Sequence, residues 1–259
     1  MTKSPKKSKG GKIFAIICLG ISFALCVTVA DLFSSVITAG NFSGLFATSG
    51  KISGYKLYAI SMFESTIEAS AKENADSLKT QNGAGYLWLD GSYHVLVSAY
   101  EKQNDAELVK QNLEKSGHSP SILEIELPEI SITSNFSAQE KNAISGALEI
   151  FKTTYKGLYD ISVSLDTSVK DETECKLSLA DIENVVSKIK TNFESAFGSK
   201  FTSSILQIKL KIQEVDSLIK ELSEYTSTTK IPFSSKIKYN YIEIINLNKK
   251  LCKELNNSI

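Results

Sequence analysis

From about residue 137 to the end of the chain, apolar residues recur at alternating spacings of three and four. Ile144, Leu148, Phe151, Tyr155, Leu158 and Leu165 mark one stripe, and Ile182, Val186, Ile189 and Phe193 a second. Ile205, Ile208, Ile212, Val215, Ile219 and Leu222 form the cleanest run, and Ile237, Tyr241, Ile244, Leu251 and Leu255 a fourth. Side chains three and four apart share one face of a helix, so each stripe reads as a buried seam. Breaks near Asp166–Asp171, Phe197–Lys200 and Thr226–Pro232 divide the stretch into four. The pattern predicts an all-α antiparallel bundle over 137–259, with a longer coiled-coil hairpin as the alternative. No Glu-x-x-His pair or inward set of acids interrupts the seams, so neither a metal nor another cofactor is expected.

Upstream, the period changes. Residues 55–128 mix short alternating runs with amphipathic stretches. Tyr55–Phe63 predicts a strand and Thr66–Thr80 a helix with Ile67, Ala71, Ala75 and Leu78 on one face. Gly83–Leu89 predicts a strand closed by Asp90-Gly91, a hairpin dipeptide, with Tyr93–Tyr100 as its partner. Asn104–Ser116 predicts a helix, with Asn104 as N-cap, Glu107 three residues on and Gly117 past its end. Ser121–Leu127 is the last strand. The order βαββαβ is the split plan in which two helices cover one face of a four-stranded sheet. A weak internal repeat, Tyr58-to-Glu64 against Val95-to-Glu101, fits two equivalent halves. Pro128 to about Ser137 reads as a linker to the helical half.

The N-terminus has its own character. Lys3, Lys6, Lys7, Lys9 and Lys12 crowd residues 1–12, where there is no acid, and Ile13–Ala30 follows as eighteen uncharged residues. At about 1.5 Å per helical residue that run spans roughly 27 Å, close to a bilayer's hydrocarbon thickness. It predicts a single-pass transmembrane anchor over 13–39, with the basic end inside and the bulk of the chain extracytoplasmic. A cleaved signal peptide is the alternative, with Ala30 or Ala39 as imperfect cleavage positions. Residues 40–54, rich in Gly and Ser, read as a short linker.

Charge and composition narrow the function. All 29 basic residues are Lys and none is Arg, so bidentate arginine recognition of phosphate is unavailable. Beyond residue 12 the chain holds 24 Lys against 29 acids, the opposite of a nucleic-acid-binding face. Of four cysteines, Cys18 and Cys26 fall in the apolar run; Cys175 and Cys252 could pair as a disulfide outside the cytoplasm. His94 and His118 are the only histidines, and neither lies in a known catalytic spacing. No enzyme is expected.

The segment Gly83-Ala-Gly-Tyr-Leu-Trp-Leu-Asp-Gly-Ser-Tyr-His-Val-Leu-Val-Ser-Ala-Tyr100, with Ala106-Glu-Leu-Val-Lys-Gln-Asn-Leu113 and Gly117, resembles a SPOR domain. The likeness covers about residues 55–128. It departs from the family pattern at Ala59, where a Gln is usual, and at Ser61 and Ser98, where Gly is usual. The resemblance implies an α+β ferredoxin- or RNP-like domain set between a membrane anchor and the helical bundle. It also implies binding to peptidoglycan, especially glycan strands stripped of stem peptides, at sites of division or sporulation. Strand alternation puts Tyr58, Ile60, Met62, Val95, Val97 and Ala99 toward the helices. Ala59, Ser61, Phe63, Tyr86, Trp88, His94, Leu96, Ser98 and Tyr100 then fall on an open face. Its rings and hydroxyls suit a sugar chain, so Tyr86, Trp88, His94, Tyr100, Ser61, Phe63 and Ser98 are the candidate glycan contacts. The competing expectation is a membrane-tethered scaffold whose bundle binds another protein, such as a division or sporulation component.

Overall fold

A computed structural model describes residues 51–131, 136–200, 202–227 and 230–256. The chain runs β1 (Lys51–Ile52), β2 (Tyr55–Ser65), α1 (Glu68–Lys79), β3 (Tyr86–Asp90), β4 (Ser92–Tyr100), α2 (Gln103–Lys115), β5 (Ser121–Leu127) and β6 (Ile130–Ser131). Four long helices follow: α3 (Ala138–Asp166), α4 (Glu172–Phe197), α5 (Ser203–Glu224) and α6 (Phe233–Asn256).

The fold is α+β around a four-stranded antiparallel sheet of order β3-β4-β2-β5. This corrects the expected fold class, which included a transmembrane helix. Among the described residues no helix is long and apolar enough to cross a membrane. The segment 13–39 assigned to that anchor lies outside the described residues. A second small sheet pairs β1 with β6 antiparallel, joining the entry and exit of the sheet domain.

Local chemistry sets the helix starts. Ser137 and Glu140 form a reciprocal capping box at α3, and Asp171 and Glu174 another at α4. Thr202 caps α5 through Ile205 N–H. Each device satisfies backbone donors that the first helical turn leaves unpaired, and is worth about 1 kcal/mol. Asn104 does not cap α2; that position falls to Lys102, whose side chain makes no capping bond.

Ala71, Ala75 and Leu78 of α1 and Ala106, Val109 and Leu113 of α2 bury against Ile60, Val95 and Val97 on one face of the sheet. The other face is where expectation and structure part. Leu57, Ala59, Tyr86, Trp88, Leu96, Ala99, Ile125 and Leu127 share one continuous apolar core with all four long helices. Helix α6 lies across β3, β4 and β5; α3 packs on α6, and α4 and α5 complete the bundle. The result is a stack of layers: α1 and α2, the sheet, α6 with α3, and outermost α4 with α5.

One backbone position locks the α1–β3 passage. Gly85 has φ +54°, and a Cβ built there would sit 2.2 Å from the carbonyl oxygen of Ala75. Left-handed backbone and close approach act together, and the obstacle is backbone that cannot rotate away. Gly85→Ala is expected to lower unfolding stability by about 3 kcal/mol, read by urea titration; a loss near zero would mean that α1 rides further from β3 than described.

Candidate functional site

The sheet face assigned to glycan binding is built largely as the alternation predicts, but it is not open. Tyr86 and Trp88 do share the side away from α1 and α2, and both are only 4% exposed. The Tyr86 hydroxyl donates to the Glu243 carboxylate and accepts from Asn246 Nδ2 at 2.8 Å. Its ring lies 5.0 Å from that of Tyr239. Burial, then the bond to Glu243, pushes its phenol pKa well above the usual range. Trp88 lies beneath Lys249, whose Nζ is 5.0 Å from the ring, a cation–π contact. Tyr239, Glu243, Asn246 and Lys249 all belong to α6. A glycan strand has no path to these two rings in this arrangement.

Two irregularities move other residues. The β2–β4 register shifts between Ile60 and Phe63, where Ile60 opposes Ser98 but Ser61 opposes Leu96. Past that bulge the alternation is reversed. Tyr100 therefore packs with Ile60 and Val95 on the α1–α2 side, and Ala99 turns to the bundle side instead. Phe63 likewise packs beside the α1–α2 core. Ser61 and Ser98 are buried, their hydroxyls donating to Phe63 O and Tyr100 Oη, each at 3.0 Å. Of the seven expected contacts, only His94, at the rim, and Phe63 keep more than slight exposure.

The small side chains of Ala59 and Ala99 make room for α6. The two face each other across β2 and β4. Tyr241 of α6 descends there, and its hydroxyl accepts the Ala99 N–H at 3.2 Å. Two methyl side chains leave room for a ring that larger residues would exclude.

Polar ties complete the seal. Asn248 Nδ2 donates to the Tyr55 hydroxyl at 3.0 Å, and Ser235 Oγ to Lys79 O at 2.6 Å. Lys238, itself buried, donates to Asp166 at 2.5 Å and to Asn82 O at 2.7 Å, while Ser234 supplies Asp166 with a second donor. This buried pair joins α6, the end of α3 and the loop before β3. At the other end of the sheet, Glu101 accepts from the Tyr155 hydroxyl and pairs with Lys156 at 3.0 Å. Tyr159 stacks edge-on against both Tyr100 and Tyr241.

The remaining titratable groups describe structure more than chemistry. Cys175 and Cys252 are buried free thiols, not a disulfide, and burial pushes each up to about 11. No group of three or more His, Cys, Asp or Glu among the described residues could hold a metal ion. The sequence reading missed one constellation, where β2 meets the β3–β4 hairpin: Ser92 Oγ lies 2.5 Å from Glu64 Oε1 and 3.2 Å from His94 Nε2. Its signal was an i, i+2 Ser/His pair on a strand, legible only once β2 supplies Glu64 opposite.

No family model, curated protein or solved structure matches the chain.

Asp160 on α3 yields a pH prediction. Burial, reinforced by the charge of Glu101 and opposed by Lys156, pushes its carboxyl up to about 7, and Oδ2 is buried without a hydrogen-bond partner. The folded state thus holds this proton more firmly than the unfolded chain, whose aspartate titrates near pH ~4. Its contribution is fully present below that value and is lost as pH rises through about 7. Asp160→Asn is expected to remove that component, leaving the variant more stable than the parent at pH 8 by about 2–4 kcal/mol. Parallel stability–pH curves for the two proteins would show the carboxyl to be solvated.

Proposed function

We propose that the protein is an interaction scaffold whose helical bundle binds a protein partner, with the SPOR-like part serving as its rigid base. The observation that carries this reading is the sealing of the sheet by α6. A surface of buried rings, with hydroxyls already bonded to Glu243, Asn246 and Asn248, has no spare capacity for a ligand. What the stack presents outward is helix. On α4 and α5, Leu177 is 69% exposed, and Leu206 and Leu210, one turn apart, are 44% and 43% exposed.

Between α3 and α4 lies a groove of about 420 Å³, floored by Ala143, Gly146 and Ile189 and rimmed by Asn142, Asn192 and Ser195. A floor of small side chains lets a partner's backbone approach closely, while amides and a hydroxyl can pair with its peptide groups. The rim carries no charge, which suits a neutral segment. The apolar run 13–30 supports delivery of this body to the far side of a membrane. The SPOR-like pattern from Gly83 to Gly117 supports a partner among proteins of cell-wall remodelling.

Two measurements on the full chain test the reading. Retention on purified sacculi is expected to stay low and unchanged by amidase pretreatment, because the ring-bearing face is closed. Asn192→Arg with Ser195→Arg, both exposed changes, is expected to abolish co-purification of the partner without lowering the melting temperature. Retention that climbs after amidase treatment, or a partner indifferent to both arginines, would overturn the scaffold.

A further inference from the structure

At the β3–β4 end of the sheet stand three side chains, two from β4 and one from β2, that neither the core nor the bundle explains. Ser92 and His94 are two apart on β4 and so share one face. Glu64 on β2 is the register partner of His94. Ser92 Oγ is 3.2 Å from His94 Nε2, within reach of a base for its hydroxyl proton. On the far side of the ring, Nδ1 faces Glu64 Oε2 at 4.0 Å. That nitrogen is buried and has no hydrogen-bond partner. An imidazole side chain only 12% exposed, with one nitrogen toward a hydroxyl and the other toward a carboxylate, is held in the order that nucleophilic catalysis needs.

We propose that Ser92 is a base-assisted nucleophile that accepts acyl groups from small unhindered esters, with His94 as the base and Glu64 as a positioning residue. Access is open: Ser92 is only half-buried, and Gly91 beside it is exposed. In the step, Ser92 Oγ bonds to the ester carbonyl carbon while its proton passes to His94 Nε2. The carbon–oxygen bond to the alcohol then breaks, and the alcohol leaves with that proton. Water hydrolyses the acyl-serine by the same route in reverse. Glu64 Oε2 supports the imidazolium formed in between and keeps Nδ1–H turned toward itself. Glu64 is 59% exposed, so water screens that support and turnover is slow. The covalent adduct is the better readout.

Ser92 Oγ also donates to Glu64 Oε1 at 2.5 Å, so the hydroxyl is shared between carboxylate and imidazole in the resting state. Swinging from one to the other requires only rotation of the hydroxyl hydrogen. Catalytic hydrogen bonds are commonly loose before substrate arrives and tighten with it, which applies here to the 4.0 Å gap at Nδ1.

The test uses the full chain and a fluorophosphonate probe, on which Ser92 Oγ would displace fluoride from phosphorus. Peptide mass spectrometry is expected to find the adduct on Ser92. His94→Ala should slow labelling about tenfold or more, the low end for a general base, and added imidazole should restore part of the rate. Glu64→Gln should slow it less, and p-nitrophenyl acetate should acylate the same serine. Rescue by free imidazole separates a base from a residue that merely supports the hairpin. Thermal melts of each variant confirm that the fold persists. Adducts scattered over other hydroxyls, or a Ser92 rate unchanged in His94→Ala, would overturn the proposal.

Discussion

The bulge that interrupts the β2–β4 ladder decides what this molecule can be. Where two strands fall out of register, one strand carries an extra residue, and the side chains beyond it change faces. Just beyond the bulge on β4, Ala99 stands in register with Ala59, and a buried backbone N–H left without a partner there would cost about 1–3 kcal/mol. Here the Ala99 N–H is taken up by the Tyr241 hydroxyl of α6, a residue 142 positions further along the chain. The sheet is therefore complete only when the bundle is in place. The same bulge swaps Ala99 and Tyr100 between faces, clearing a gap over Ala59 and Ala99 in which the Tyr241 ring fits. A local irregularity in one strand thus couples the two halves of the chain, and this coupling closes the face that a simple alternation leaves bare.

Much of the architecture was legible before the structure. The breaks near 166–171, 197–200 and 226–232 are where α3, α4 and α5 end, because apolar 3-4 spacing reports helix burial directly. The strand at 121–127 and the hairpin at Asp90-Gly91 stand at the predicted residues, turn chemistry being a local property. What did not survive was the inference from face to exposure. Alternation assigns Tyr86 and Trp88 to the side away from α1 and α2, but it carries no information about what else packs there. Bulges are equally silent in sequence; the residues Leu96-Val-Ser-Ala-Tyr100 read as unbroken strand. Alternation alone therefore puts Tyr100 and Phe63 on the wrong side, and offers as free the hydroxyls of Ser61 and Ser98, each of which closes a short internal bond.

The misreading has a chemical cause. Aromatic rings interleaved with hydroxyls and amides are the composition of a ligand surface and also of an interface between two parts of one protein. Tyr86 illustrates both uses: its ring gives apolar area, and its hydroxyl needs partners wherever it is buried. Glu243 and Asn246 supply them from within the chain. The Lys238–Asp166 pair follows the same logic more strictly. Two charges taken out of water are tolerable only with further hydrogen bonds, and here Asn82 O adds one to Lys238 and Ser234 one to Asp166. Such an arrangement fixes where α6 sits along the sheet, since sliding by one turn would strand both charges in apolar surroundings.

With both sheet faces closed, chemistry is confined to the rims and to the outer helices. The two places differ in kind. Along α4 and α5 the exposed leucines and the amide-rimmed groove are generic, suited to contact with a partner and to little else. At the β3–β4 end, by contrast, Ser92, His94 and Glu64 converge from two strands, and none of them is required to hold the core. His94 is the informative member. An imidazole nitrogen kept from water without a bonded partner costs free energy that a leucine in the same place would save. Packing gives no return for that cost; proton transfer does. Because α6 fixes the strands on which these side chains stand, the bundle that denies the sheet its ligand surface also holds the hairpin still enough for such a geometry to persist.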